Sequence, residues 1–541
     1  MSTLQQEREY SQVKERIDVI APLAVDLVPC DAASQEKHMY GQQRQHFDYI
    51  VVGGGTAGAV VAARLAEQPT TTVCLLEAGP SDEGRHDILA VKNWPHLLGT
   101  ELDYDYAIEP QARGNSRIRH SRGRVLGGCS SHNSCIAFQA PDEDLESWHQ
   151  VGCEGWCASD LHPYYEKVYQ TVSLERTPPL NPLSQAFLAA AQQAGFPLIP
   201  FQIDGPLREG VGIFHLNAQG GIRQSSSQAY LHPIWKAASN LTVLTNTRAN
   251  SILLDQTNTA YGVETESATL LATREIVLSC GTFETPKLLS LSGIGPRQHL
   301  HELGIPTRVD LPGVGEHLID HPEGVIYWGA SQAVPEETTQ YWEAGLLARS
   351  GPRSPLPDLM FHFGVVPFDW HTVPLGYPTA TYGFSMTPNV MRARSQGVVR
   401  LRSADPNDPP LIDCRYFTDP QGYDETLLLA GLKLARSLAQ QPALRHWISR
   451  ELAPGSAVQS DRELSEYARR TANTVYHPAG TCRMGDAGDP LTVVDAHLRV
   501  KGVPHLRIAD ASIFPSMISI NPCLTCMMIG EKCAAMLKQG S

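Results

Sequence analysis

With 541 residues, 42% of them hydrophobic, the chain is long enough for two substantial units sharing an interface, because single cores stop growing near ~250–300 residues. Its 57 acidic residues against 43 basic give a net charge of −14, which argues against nucleic acid or an anionic membrane as partner and mildly favours a cationic small molecule. No run approaches the ~18 apolar residues of a membrane span, and VIAPLAVDLV (19–28) carries Pro22 and Asp26 with no basic run before it, so the expectation is a soluble, cytoplasmic enzyme.

Residues 1–45 are rich in Gln, Glu, Lys and Arg with little periodicity and read as a surface extension. Order begins at FDYIVVGGGTAGAVVAARLAEQPTTTVCLLEAGP. An apolar strand (Tyr49 to Val52) meets a glycine turn, an Ala/Val helix follows, and a second strand (Thr72 to Glu77) ends on an acid, which makes a βαβ unit. Gly53, Gly55 and Gly58 occupy the three glycine positions of GxGxxG. The first allows a tight turn, the second lets backbone approach a pyrophosphate at a helix N-terminus, and the third lets helix pack on strand. Glu77 is placed to accept from a ribose hydroxyl, so the unit predicts a dinucleotide site without distinguishing NAD from FAD.

Further along, RVLGGCSSHNSC (124–135) packs glycines, serines, a histidine and an asparagine between hydrophobic stretches. The middle of the chain alternates strand patterns, PDLMFHFGVVPF and GVVRLRS, whose period of two predicts a half-covered antiparallel sheet. Helices are predicted over DETLLLAGLKLARSLAQ and over SDRELSEYARR, the latter opened by a Ser460/Glu463 capping box. A βαβ start followed by a strand-rich middle implies a nucleotide domain interrupted by a second, sheet-containing one. Near the end, HLRIADASIFPS reads as a strand ending on Asp510, and a helix opens at Asn521 and Pro522. If this strand joins the first sheet, it offers a long cofactor a second set of backbone donors, which suits an extended FAD. The twelve cysteines sit mostly in apolar segments and read as reduced thiols; CLTC and CEGWC lack a partner pair at zinc-ligand spacing and read as packing, with no metal site.

GGCSSHNSCIAF, GTFETPKLLSLSGIG, GVGEHLIDHPEGV, NTVYHPAGTCRMG and LRIADASIFPSMISINP together resemble the glucose–methanol–choline (GMC) oxidoreductase family, from about residue 47 to the C-terminus, and most of all its choline-oxidising members. The resemblance implies an α/β fold, a Rossmann-like FAD-binding domain with an inserted substrate domain whose antiparallel sheet roofs the flavin. The FAD domain is expected over 46–160, 231–312 and 471–541, and the substrate domain over 161–230 and 313–470.

In those members the histidine matching His132 is joined to the flavin 8α-methyl carbon. Gly127 and Gly128 then allow close backbone approach, Asn133 lies beside the ring, and Ser134 stands near N5. Such a tether keeps the flavin from dissociating and raises its potential. The resemblance further implies His477 as base and alkoxide stabiliser, Asn521 as its hydrogen-bonding neighbour, and His362 as a group orienting the substrate hydroxyl. A trimethylammonium group has no N–H to donate, so it needs aromatic faces and a carboxylate. Glu323, Trp94, Trp342 and Tyr476 match that cage. The implied reaction takes choline to betaine aldehyde and, through its hydrate, to glycine betaine, with O₂ reduced to hydrogen peroxide in a homodimer. The rivals are a family dehydrogenase using a quinone or carrier, a redox-silent hydroxynitrile lyase, and a non-catalytic flavin-binding protein. The long extension and the cysteines of NPCLTC depart from the family pattern.

Overall fold

The computed structural model describes residues 44–540 except 177–179, 202 and 353. The apolar segment at 19–28 and nearly all of the extension read over 1–45 lie outside the described residues, while Arg44 and Gln45 already belong to the first strand.

That strand, Arg44–Val52, is central to a seven-stranded sheet. Val73–Leu76 pairs parallel to one edge of it and Thr269–Leu278 parallel to the other, with Leu241–Leu244 beyond Val73–Leu76. Leu506–Ile508 returns from the far end of the chain to pair parallel to Ile276–Leu278, as the sequence reading expects. Ala260–Thr265 and Ala249–Leu254 extend the sheet antiparallel along the first half of Thr269–Leu278. The C-terminal ends of the inner strands are apolar because both faces are covered there; Tyr49 to Val52, Val73 to Leu76 and Ile276 to Leu278 are all buried. Helix Gly58–Ala66 lies on the sheet, and the C-terminal helix Cys523–Gln539 crosses it so closely that a Cβ on Gly530 would stand 2.7 Å from the Ala57 carbonyl. Helix Ala158–Thr171 backs the C-terminal helix, with Tyr165 Oη and Thr525 Oγ1 2.9 Å apart.

The second sheet runs in the order Ile448–Ala453, Ile326–Ala330, Gly383–Val390, Leu359–Gly364, Ala344–Ala348, Gly210–Ile213, with Pro322–Glu323 and Asn473–Thr474 added at one end. Its paired strands are antiparallel. The expectation of a half-covered sheet is corrected here: Leu359–Gly364, Gly383–Val390 and Ala344–Ala348 are buried along their whole length. One face carries Phe361 and Phe363, covered by helices Pro182–Gln193 and Tyr423–Ala439. Phe187 stacks on Phe363 at 4.4 Å, and Gly431 abuts Pro388. The opposite face carries His362, Thr387 and Glu323 and closes an internal cavity. A second correction concerns GVVRLRS: Val398–Arg400 pairs with Leu411–Asp413 in a separate hairpin, outside this sheet. The helix Asp461–Thr471 has the Ser460/Glu463 capping box as read.

Segment 473–482 ties the sheets together. Asn473–Thr474 pairs with Pro322–Glu323, the Ala479 amide donates to the Ile319 carbonyl at 2.8 Å, and the amides of Gly480 and Cys482 donate to Ala511 (3.0 Å) and Ser512 (2.8 Å). Tyr476, His477 and Pro478 are thereby held at the junction.

Candidate active site

The parallel strands end at Val52, Leu76, Leu278 and Ile508, and the residues just past those ends line one cavity of about 290 Å³. This is where open α/β sheets place their ligands. Gly53 has φ +101°, and a Cβ there would lie 2.4 Å from the Ser279 carbonyl; one on Gly58 would lie 2.0 Å from the Gly53 carbonyl. Gly55 differs, because its Cβ would meet no protein atom closer than 3.7 Å. A side chain at Gly55 would fill the cavity instead. Glu77 accepts from the Gly54 amide (Oε2, 3.0 Å) and from the Gly79 amide (Oε1, 2.8 Å), so it holds the turn while facing the cavity. Burial pushes its carboxyl up to about 7. Asp510 Oδ2 accepts from the Gly281 amide and Thr285 Oγ1, and Oδ1 from the Ser512 amide, which pins the mouths of two helical segments at the cavity.

Gly127 (φ +85°) and Gly128 (φ +53°) bring the serine-rich turn against the glycine turn; a Cβ on Gly128 would lie 2.7 Å from Gly55 Cα. The short helical turn Gly128–Ser131 then delivers His132, Asn133 and Ser134 to the cavity wall. His132 is buried, which lowers its pKa, and its Nε2 lies 3.3 Å from the Leu97 carbonyl.

At the junction with the second sheet, His477 Nδ1 lies 2.9 Å from His321 Nδ1, and His321 Nε2 lies 2.8 Å from both the Met391 and Ile518 carbonyls. Carbonyl oxygens only accept, so His321 Nε2 carries the proton. Burial keeps His321 neutral, which leaves a lone pair on its Nδ1. His477 Nδ1 must then donate to it, and the His477 lone pair sits on Nε2. Asn521 Nδ2 stands 3.4 Å from that Nε2, while Asn521 Oδ1 is buried without a partner among the described residues. Burial first, and then His321, hold the His477 pKa well below the ordinary value. The ring is therefore a neutral base facing the cavity. Asp320 supports it from below: Oδ1 accepts from the His477 amide at 3.1 Å, and Oδ2 accepts from Tyr416 Oη, Thr474 Oγ1 and His120 Nε2. Burial would raise this carboxyl, but His120 and the two hydroxyls outweigh it and hold it below the usual carboxylate range.

At the far end Glu323 is buried, with Oε1 accepting from Asn473 Nδ2 at 3.1 Å, and burial pushes its carboxyl up to about 8. Trp94 and Trp342 lie 5.0 Å apart centroid to centroid, tilted by 58°, and Phe368 meets Trp342 edge-on at 5.4 Å. Trp94 Nε1 donates to the Gln340 carbonyl at 3.1 Å, which fixes the ring. His362 is buried to a pKa of about 4 and packs 5.5 Å from Phe214.

The structure brings nearly every sequence-predicted residue to this one cavity: Gly53, Gly55, Glu77, Gly128, His132, Asn133, Ser134, Asp510, Asn521 and Pro522 on the nucleotide side, His477, His362, Glu323, Trp94, Trp342 and Tyr476 on the other. Gly58 and Gly127 stand behind the wall, where they pack backbone on backbone or side chain. Sequence reasoning missed His321 and Asp320, although both sit in LIDHPEG, three or fewer residues before Glu323. Two titratable groups following an apolar pair were the available signal.

A dinucleotide cradle that opens into the same cavity as a neutral imidazole with its lone pair exposed is the architecture of an FAD-dependent oxidoreductase. The room at Gly55 and the unpartnered Asn521 Oδ1 fit that cofactor. Models of the GMC oxidoreductase family match residues 47–323 and 393–530, and the chain belongs to this family. It is 48% identical over 517 residues to a choline oxidase of Arthrobacter globiformis, covering 91% of this chain and 94% of that one. It is 36% identical over 546 residues to the human mitochondrial choline dehydrogenase, covering 92% and 90%. Among solved structures, a pyridoxine 4-oxidase from Mesorbium loti superimposes with a TM-score of 0.84 at 29% identity, covering 91% of this chain and 99% of that one.

Proposed function

We propose that this oxidoreductase oxidises choline to betaine aldehyde and the aldehyde hydrate on to glycine betaine, with O₂ as the electron acceptor and hydrogen peroxide as the co-product. The observation that carries the reading is the pairing of groups within one cavity: a buried carboxyl group that ionises against a cation, lining it with aromatic side chains, and a neutral base beside the nucleotide cradle. FAD, when bound, accepts a hydride from the carbinol carbon. His477 Nε2 takes the hydroxyl proton and, once protonated, stabilises the alkoxide. Asn521 and His362 orient the oxygen, and Ser134 borders the reacting edge. Glu323, Trp94, Trp342 and Tyr476 hold the quaternary nitrogen, with Phe368 closing the ring of aromatics. Gly53, Gly55, Glu77, Gly128, Asp510 and Pro522 would hold the cofactor, and His132, neutral through burial, supplies the nitrogen for a covalent link.

Acid precipitation of purified protein should leave yellow flavin in the pellet, and one peroxide should appear for each two-electron oxidation of choline. Colour in the supernatant would remove the tether. Choline consumed without peroxide would mark a dehydrogenase, and failure of choline to bleach the flavin under argon would mark a lyase.

The electrostatics of Glu323 give a pH signature. Its carboxyl is mostly neutral below about pH 8, and a permanent cation binds the charged form, so binding expels a proton. The Kd for tetramethylammonium should tighten by about tenfold per pH unit on rising towards about pH 8 and level off above it. Calorimetry across this range checks it; a flat profile would place the cation away from Glu323.

A further inference from the structure

Arg223 is fully buried behind the turn that carries His132, Asn133 and Ser134. Its Nε donates to the Ile88 carbonyl at 2.7 Å. Its Nη1 donates to the carbonyls of Ser130 (3.1 Å) and Asn133 (2.9 Å), to Asn133 Oδ1 (3.3 Å) and to Cys135 Sγ (3.2 Å). Nη2 is buried with no hydrogen-bond partner among the described residues. Every partner of this guanidinium among the described residues is neutral, since burial pushes the Cys135 thiol up and keeps it protonated. Glu175, whose charge also acts on Cys135, accepts instead from the Gly220 amide at 3.0 Å.

A guanidinium cannot shed its proton at any working pH. A buried charge held only by dipoles is expensive, and it acts at long range because little water screens it. Burial is the main cause that lowers the His132 pKa and Asp103, 3.9 Å away, opposes it; the field of Arg223 also reaches this wall residue and adds to the lowering. The guanidinium bonds the backbone of the turn whose residues His132, Asn133 and Ser134 line the cavity that would hold the flavin.

We propose that Arg223 is a fixed positive charge that raises the reduction potential of the flavin in this cavity by stabilising the negative charge that reduction leaves there. A hydride brings two electrons and one proton, so the ring gains one net negative charge unless a second proton follows. The carbinol is oxidised to a carbonyl, and its hydroxyl proton goes to His477. Arg223 exchanges no atom in this step. The inference rests on FAD occupying the cavity and is independent of which alcohol reduces it.

The test is the two-electron potential of the flavin-loaded protein, measured by dithionite titration against a reference dye, with no alcohol present. Arg223→Lys should keep the reduction equilibrium within about threefold, and Arg223→Met should shift it at least tenfold towards the oxidised form, about 30 mV for a two-electron couple. A second pair avoids the risk that Arg223→Met fails to fold. Cys135 has φ +62°, a region that Asp and Asn tolerate best among side-chain-bearing residues. Cys135→Asp places a carboxylate against the guanidinium, while Cys135→Asn is its neutral match. The Asp variant should lie at least tenfold lower than the Asn variant at pH 8. Equal potentials in these two would overturn the electrostatic role and leave Arg223 as scaffold for the turn. Wild-type protein lacking flavin would instead sink the parent reading, a result plainly distinct from equal potentials.

Discussion

Replacing His477 by alanine is expected to slow reduction of the flavin by choline by ~10³-fold or more, while FAD content and reduction by dithionite stay as in the parent protein. The size follows from what the ring does in this fold. His321, with its Nε2 proton committed to the Met391 and Ile518 carbonyls, forces the His477 proton onto Nδ1 and leaves Nε2 free to accept. Burial first, and then His321, hold its pKa well below the ordinary value, so the ring is neutral and the base is ready at neutral pH. Its removal strands the His321 lone pair and the Asn521 amide, a stability loss of about 1–2 kcal/mol that is small beside the kinetic effect. Anaerobic stopped-flow at saturating choline is the measurement. A loss below tenfold would reassign the proton acceptor, with His362 the next group in the cavity.

Glu323→Gln should weaken choline selectively, and by an amount that depends on pH. The methyl groups keep a quaternary nitrogen ~5 Å from a carboxylate, where attraction at an effective dielectric of ~20 is about 3 kcal/mol, a factor of a few hundred. At neutral pH the carboxyl must first lose its proton against a pKa of about 8, which removes roughly a factor of ten. The expected penalty is therefore ~30-fold at pH 7 and several hundred-fold at pH 9. An uncharged isostere, 3,3-dimethylbutanol, should change by less than about threefold between parent and variant at either pH. Equal losses for the two alcohols would show that the glutamine disturbs the pocket and that Glu323 does not read the charge.

Local features were legible because their physics is local. Strand, glycine turn, helix and second strand follow one another within a single βαβ unit, and Gly53 and Gly58 are needed for contacts made inside that unit and with Ser279 at its edge. The Ser460/Glu463 box was readable for the same reason. Glu77 shows the limit. Its position after the second strand marked it as a cofactor ligand, yet much of its bonding holds the Gly54 and Gly79 amides. LMFHF shows another: alternation suggested one wet face, but the cavity and two helices cover both sides of that strand. His321 and Asp320 carry only the weak signal of two titratable groups after an apolar pair, and Arg223 carries none, since an ionisable residue near an apolar run looks the same whether it is a core group with satisfied bonds or the lock on a catalytic ring.

By itself the sequence determined the nucleotide-binding unit with its buried strands, the capped helix at Ser460 and membership of the GMC family. The tertiary structure alone decided protonation. Which nitrogen of His477 is bare and why Glu323 is neutral near pH 7 both depend on burial and on partners supplied by distant segments, as in the His321–His477 contact across 156 residues. Proton affinity is a property of surroundings, and those surroundings exist only once the two sheets have closed over the cavity.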